Sequence, residues 1–118
     1  MHTVEFISVE DEDPDLIVSF ALAPSAANSI TLIRTPRYES ILPEEDRGVS
    51  VAAGALGSGE RELLVSITFN SSEKSAVIES SKRVYNLSLA HVQPDDILAA
   101  KSLLSRMNFD QRFVANAA

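Results

Sequence analysis

Carboxylates are the residues of this sequence whose spacing most resembles a metal site. Asp11, Asp13 and Asp15 stand at the alternate positions of a calcium-binding loop. An EF-hand loop also needs Gly at its sixth position and Glu at its twelfth, and here those positions hold Leu16 and Leu22. We therefore interpret the acidic segment as a hydrated turn, and we predict no metal site in the chain.

The two histidines, His2 and His91, are too few for a histidine-rich metal site. His91 could meet Asp95 or Asp96, as single-histidine acid–base catalysis would require. We favour a structural histidine at a strand end, because a lone titratable residue is weak support for catalysis. Cysteine is absent, and so is the Gly-x-Ser-x-Gly motif of a serine nucleophile. We predict no catalytic residue.

The glycine-rich segment 54–59, GALGSG, lacks the features of a phosphate-binding loop. A P-loop ends in Gly-Lys-Ser or Gly-Lys-Thr, whereas Gly59 is followed by Glu60 and Arg61. A dinucleotide-binding loop leads into a helix, but the residues after Gly59 alternate as a strand does. We interpret 54–59 as a flexible connection. The sequence thus favours a protein that is not an enzyme and uses no cofactor.

The segment Arg37–Asp46, RYESILPEED, is long for a connection between strands, and loops of that length are often functional. Its adjacent carboxylates at Glu44, Glu45 and Asp46 are typical of hydrated charges rather than of an acid–base pair. These three residues and Tyr38 are our candidate contacts for a partner protein.

The same segment also has apolar residues, and arginines flank it. We expect Tyr38, Ile41 and Leu42 to hold part of it on the body of the protein. Arg34, Arg37 and Arg47 either pair internally with the carboxylates at 44–46, which we favour, or bind an anion.

The net charge of −7 is unevenly distributed along the 118 residues. The first 60 residues hold 11 acidic and 3 basic side chains, whereas the rest of the chain holds 6 acidic and 7 basic. Nucleic-acid binding needs Lys and Arg contacts to phosphates, so this balance argues against it. An acidic half is compatible with a basic partner protein or with plain solubility.

Residues 1–13 have neither a basic region nor a continuous apolar run, which argues against a signal peptide. No apolar stretch approaches the roughly 20 residues that span a membrane. The lack of cysteine fits a reducing compartment. We therefore expect a cytoplasmic protein with no membrane partner.

The elements that must position these residues follow from hydrophobic periodicity. Glu60–Asn70, ERELLVSITFN, is the longest stretch with period two, and we predict it to be the central strand of an antiparallel sheet. Its alternation places Leu63 and Val65 on the core face and Leu64 on the opposite face. An exposed Leu64 would leave a homo-oligomer open as an alternative.

Five further segments alternate with period two, and we predict them to be strands: Thr3–Val9, Leu16–Ala23, Ser29–Thr35, Arg47–Ala53 and Lys82–His91. Turns are predicted at Glu10–Asp15 and Pro24–Asn28. The segment Asn70–Ser81 fits a short helix, which we favour, or an edge strand.

Pro94–Met107 has the strongest helix signals. Pro94 suits the first helical position, and Asp95 and Asp96 follow at the positive end of the helix dipole. An apolar stripe runs along one face. We predict an α+β fold in which a mainly antiparallel sheet of about six strands packs against this helix. Residues 1–109 would form one domain, and residues 110–118 a flexible C-terminal tail.

The order of these segments resembles one family, the bacterial polymorphic-toxin immunity proteins of family ten. The matching segments are FISVEDEDPDLIVSFAL at 6–22, ITLIR at 30–34, LPEED at 42–46, VYNLSLAHV at 84–92 and DDILAAKSLLSRM at 95–107. The resemblance implies a cytoplasmic protein that binds and blocks one cognate toxin. It also implies that Glu44, Glu45 and Asp46 contact a basic toxin surface.

We therefore expect a non-enzymatic protein-binding domain, with inhibition of a toxin as its specific form. One alternative is a small-ligand-binding or enzymatic domain with a pocket between sheet and helix, which His91, Arg34 or Tyr85 would line. Another is a structural homo-oligomer joined through an edge strand or a spare apolar face.

Overall fold

The computed structural model describes residues 1–12, 14–24 and 28–117. Asp13, the middle member of the calcium-like spacing, and residues 25–27 of the predicted turn lie outside the described residues. Within them the chain forms eight strands and one α-helix: β1 (His2–Glu12), β2 (Asp15–Leu22), β3 (Ser29–Arg34), β4 (Ser50–Ala52), β5 (Glu62–Asn70), β6 (Ser75–Ser80), β7 (Val84–Ser88), α1 (Pro94–Met107) and β8 (Val114–Ala117). Short 3₁₀ helices at Pro36–Ile41, Glu44–Asp46 and Gly54–Leu56 occupy connections between strands.

Strands β1 to β7 pair in chain order, each antiparallel to the next. The start of β1 then pairs in parallel with β7, through His2 with Leu87 and Thr3 with Ser88, so that seven strands close into a ring. β8 adds to β5 in parallel. The α+β class with one C-terminal helix is confirmed. The prediction of about six antiparallel strands is wrong, since the described residues form eight strands in a mixed sheet.

The helix α1 has the predicted bounds, and its apolar stripe is buried. Ala100, Leu103, Leu104 and Met107 face the core, where α1 packs on β1 and β2. The core that they join is mainly aliphatic, because this chain has five Phe and no Trp.

The helix favoured for Asn70–Ser81 is wrong, and a strand, β6, is present instead. It pairs with both β5 and β7, so it is not the edge strand of the alternative prediction. Ala76 and Ile78 are fully buried on one face of that strand. The Asn70 side-chain oxygen does accept the Glu73 N–H at 3.0 Å, as a helix cap would. Lys74, however, has a left-handed backbone with φ +49°, which reverses the chain into β6 instead of extending a helix.

Residues 114–117 form a strand where the sequence predicted a tail. The nearby Phe113 is buried, and its main chain exchanges two hydrogen bonds with the Asn108 side chain, at 2.9 and 3.3 Å. These contacts direct the chain along β5, where β8 pairs with Ser66–Phe69.

A bulge at Val65 reverses the faces of β5. Leu64 pairs with Ser80 and Ser66 pairs with Glu79, so Val65 is an extra residue without a partner in the register. Because a bulge breaks the period of two, the residues before it change sides. Leu64 is only 4% exposed and Val65 is 44% exposed, the reverse of the prediction. Leu64 is therefore no sign of a homo-oligomer, and Glu62 comes to lie on the core side.

The bulge predicts the ranking of two truncations. Leu64→Ala should lower the free energy of unfolding by about 3 kcal/mol, because it opens a cavity in the core. Val65→Ala should lower it by less than about 1 kcal/mol, because this side chain is largely in solvent. Urea unfolding at equilibrium measures both free energies. A larger loss of stability for Val65→Ala than for Leu64→Ala would contradict the bulge and support an uninterrupted period of two along β5.

Candidate partner-binding surface

The connection between β3 and β4 is built around the side chain of Arg34, which ends β3 and is completely buried. Its guanidinium donates two hydrogen bonds to the Glu39 carboxylate, at 2.8 and 2.9 Å. Two more go to the Asp110 carboxylate, both at 2.8 Å, and a fifth goes to the main-chain oxygen of Met107 at 2.7 Å. A guanidinium has five N–H donors, so every one of them is used.

The electrostatics of this cluster favour the charged forms. Burial opposes the charge of Arg34, but hydrogen bonds and Coulombic attraction from Asp110 and Glu39 outweigh it and raise the arginine pKa above its ordinary value. The hydrogen bonds from Arg34 hold the pKa of Asp110 well below its usual range, with help from Arg112 and against the effect of burial. The Phe109 ring lies with its centroid 4.1 Å from the guanidinium carbon, which adds a cation–π contact.

Arg34 thereby joins the end of β3, the 3₁₀ helix Pro36–Ile41 and the residues that follow α1. The expectation of internal pairing was right for this arginine, but its partners are Glu39 and Asp110 rather than the carboxylates at 44–46. Glu39, which the sequence analysis did not single out, is the residue that points inward.

Three other arginines donate to main-chain oxygens of the same connection: Arg47 to Leu42 at 3.1 Å, Arg61 to Asp46, and Arg112 to Glu44 at 3.0 Å. These bonds hold the backbone of residues 42–46. The carboxylates of the second 3₁₀ helix, Glu44–Asp46, are exposed or half-buried, and the exposed Glu44 carboxylate also lies 3.7 Å from the Arg112 guanidinium, as a loose surface ion pair.

Two of the three apolar side chains that were expected to hold the connection instead point outward, and the third, Leu42, is half-buried. Tyr38 is 53% exposed and Ile41 is 81% exposed, so the expectation that these two residues hold the segment on the body is wrong. Glu44 and Glu45 are also exposed. We call these four residues, Tyr38, Ile41, Glu44 and Glu45, the acidic loop surface.

The remaining candidate contact, Asp46, is half-buried and lies deeper than the acidic loop surface. It lines a cleft of about 270 Å³ together with Tyr38, Leu42 and Arg61. The structure therefore brings Tyr38, Glu44 and Glu45 to exposed positions and places Asp46 beside them with less of its side chain available.

A second buried carboxylate, Glu62, was missed by the sequence analysis. Its oxygens accept hydrogen bonds from Ser80 Oγ at 2.5 Å, Tyr85 Oη at 2.7 Å, and the Ser58 main-chain N and Oγ at 2.9 and 3.1 Å. Burial opposes ionisation of Glu62, but these donors outweigh it and lower its pKa. Burial and the nearby carboxylate raise the pKa of Tyr85 to about 12.

This cluster around Glu62 is suited to holding structure rather than to acid–base chemistry. Four donors match the four lone-pair sites of the carboxylate, and no acceptor capacity remains for a substrate proton. The bond to Ser58 attaches the connection 54–59, predicted to be flexible, to the core side of β5.

The other residues considered for chemistry have different surroundings. Asp11 forms an ion pair with Arg106, and Asp15 accepts a hydrogen bond from the Thr35 hydroxyl at 3.0 Å. Both members of the calcium-like spacing that the structure describes therefore have partners within the protein. His91 is exposed and lines a cleft of about 570 Å³ beside the start of α1.

No protein-family model, curated protein or solved structure matches this chain. Across residues 1–12, 14–24 and 28–117, no helix has the length and apolar character needed to cross a bilayer.

Removal of one Arg34 partner should cost far more than removal of an exposed carboxylate. Glu39→Ala should lower the free energy of unfolding by about 3 kcal/mol, because it leaves part of a buried charge unpaired. Glu45→Ala, on the acidic loop surface, should change it by no more than about 0.5 kcal/mol. Similar values for both variants in urea unfolding would contradict this role for Arg34 and Glu39.

Asp110 should also give the fold a characteristic acid sensitivity. Its pKa is lowered in the folded state, so its contribution to stability is complete above the ordinary aspartate pKa of about 4 and is lost as the pH falls below that value. Asp110→Asn should be less stable than wild type at pH 7 and should lose less stability between about pH 5 and pH 2. Urea midpoints measured across this range test the difference, and parallel curves would refute it.

Proposed function

We propose that this protein is a non-enzymatic binding domain whose partner is a protein with a basic surface. The acidic loop surface is the proposed contact. The observation that carries the proposal is the contrast between the main chain of residues 36–46, which is anchored from within, and its outward apolar and acidic side chains.

Energetics support a binding role for this arrangement. An apolar side chain such as Ile41 normally turns inward, because burial of its surface is favourable. Here the inward position belongs to Glu39, which is paired with Arg34. A connection that is fixed before binding also loses less conformational entropy when a partner docks. Tyr38 and Ile41 beside two carboxylates match the usual anatomy of an interface, in which aromatic and aliphatic anchors lie next to a charged rim.

Charge supports the same partner chemistry. The first 60 residues carry a net charge of −8, from 11 acidic and 3 basic side chains, and Glu44 and Glu45 are exposed within that half. Such a field accelerates association with a basic protein and weakens as salt screens it.

We propose further that the partner is a toxin which this protein blocks. This step depends on the resemblance to the immunity proteins of family ten, in which LPEED, residues 42–46, is one of the matching segments. The structure gives that segment a fixed backbone with two exposed carboxylates, which is a suitable form for a contact to a basic toxin surface.

A pair of matched charge reversals tests the contact. Glu44→Lys with Glu45→Lys should weaken partner binding by about tenfold or more, because two favourable charges become repulsive. Glu10→Lys with Glu12→Lys, on the exposed part of β1, makes the same change in net charge at another place. A partner captured from lysate of the source organism at low salt would be purified, and its affinity for each variant measured by titration calorimetry.

Both double variants should keep the wild-type urea midpoint, because all four positions are exposed. Equal affinity of the 44/45 variant and wild type would reject the acidic loop surface as the contact. Equal weakening by both variants would show that net charge, rather than this surface, drives binding.

A further inference from the structure

A cleft beside the N-terminal end of α1 is separate from the acidic loop surface. Three segments form it: the turn between β5 and β6, the connection 89–94, and the first two turns of α1. Its volume of about 570 Å³ falls within the ~300–1,000 Å³ that is usual for small-molecule sites.

The cleft has an apolar floor and an exposed apolar wall. Phe69, Leu89 and Val92 are buried and form the floor, with the half-buried Ile97 beside them. Leu98, on the exposed part of α1, is 62% accessible and borders the same cleft. An apolar ligand body lying against the floor would cover Leu98, which is otherwise in water.

Basic side chains line the cleft as well. Lys74, His91 and Lys101 are among its described lining residues, and that set contains no Asp or Glu. This is unexpected in a chain with 17 acidic residues against 10 Lys and Arg. The Lys101 ammonium lies 5.2 Å from the centroid of the Phe69 ring, so a cation is held above the apolar floor.

Lys74 is an independent sign of function. Its φ of +49° is in the left-handed region, where Gly or Asn would fit the turn at lower cost. The position is fixed, because the Leu89 N–H donates to the Lys74 oxygen at 2.7 Å. A strained backbone that carries a cation into a cleft suggests that the side chain is needed there.

We propose that this cleft binds a small amphiphile with an apolar body and a carboxylate head group. The apolar body would lie on Phe69 and Leu89, and the basic side chains of Lys74, His91 and Lys101 would bind the head group. A small inorganic anion would leave the exposed apolar wall at Leu98 uncovered. An uncharged apolar ligand would desolvate the lysines without a counter-charge, which is unfavourable.

Three probes of equal chain length test the charge of the head group: decanoate, decyltrimethylammonium and decanol. The two charged probes would be titrated below their micelle concentrations, and decanol below its solubility limit, into ¹⁵N-labelled protein and followed by amide chemical shifts. We expect decanoate to shift amides of the cleft and to bind about tenfold or more tighter than the cationic probe. Failure of decanoate to bind, equal affinity for both charged probes, or shifts centred elsewhere would overturn the proposal.

Substitutions of the two lysines give a sharper test. Lys74→Gly and Lys101→Gln should each weaken decanoate binding about fivefold, the usual order for one partly exposed ion pair, and should not weaken decanol binding. Lys82→Gln is the matched control, because Lys82 pairs with Glu60 and is not among the lining residues.

Lys74→Gly should not lower the thermal midpoint, because glycine adopts the left-handed conformation without strain. Weaker binding by a variant of undiminished stability would exclude a purely structural role for Lys74. Unchanged decanoate affinity in this variant would overturn the proposal. The charge reversals at 44 and 45 should leave decanoate binding intact, so this site and the partner-binding surface can fail independently.

Discussion

The buried guanidinium of Arg34 sets the shape of one end of this molecule. A charge removed from water is tolerable only when its hydrogen bonds and counter-charges are complete. Here completion requires groups from the 3₁₀ helix Pro36–Ile41, from the last turn of α1 and from the residues after it. If any one of these segments moved away, the Arg34 guanidinium would lose a partner or become exposed to water. The residues of the acidic loop surface are then exposed on a fixed backbone, which makes them available for recognition.

Local information was sufficient where an element carries its own signals. The bounds of α1 followed from Pro94, the two aspartates after it and the apolar stripe. Six of the eight strands in the described residues were recognisable, because alternation repeats over several residues. Alternation cannot reveal an inserted residue, so the bulge at Val65 and the consequent inward position of Glu62 were not predictable. For 75–80, the same capping contact at Asn70 serves a turn or a helix, and only the burial of Ala76 and Ile78 decides between them.

The location of the candidate surface was predictable from the sequence, but the contacts that hold it in place were not. A long acidic connection is expected in solvent, and Glu44 and Glu45 are there. The hydrophobic rule gave the wrong orientation for Tyr38 and Ile41, because the inward position is filled by Glu39, which pairs with the buried Arg34. Arg34 and Asp110 are 76 positions apart, and no local pattern relates them. Ion pairs between residues far apart in the chain cannot be predicted from the pattern of a single sequence.

The parallel closure of the ring bears on how the chain folds during synthesis. β1 is made first, but one of its edges finds its partner only when residues 87 and 88 have been made. Hairpins such as β1–β2 can form early, because their strands are neighbours in the chain. Closure brings together β1 and β7, the first and last strands of the ring. The conformational entropy of the long intervening chain must be lost before the β1–β7 contact can stabilise the fold. Until then β1 keeps an open strand edge, and a nascent chain that stalls before β7 would present that edge to other strands.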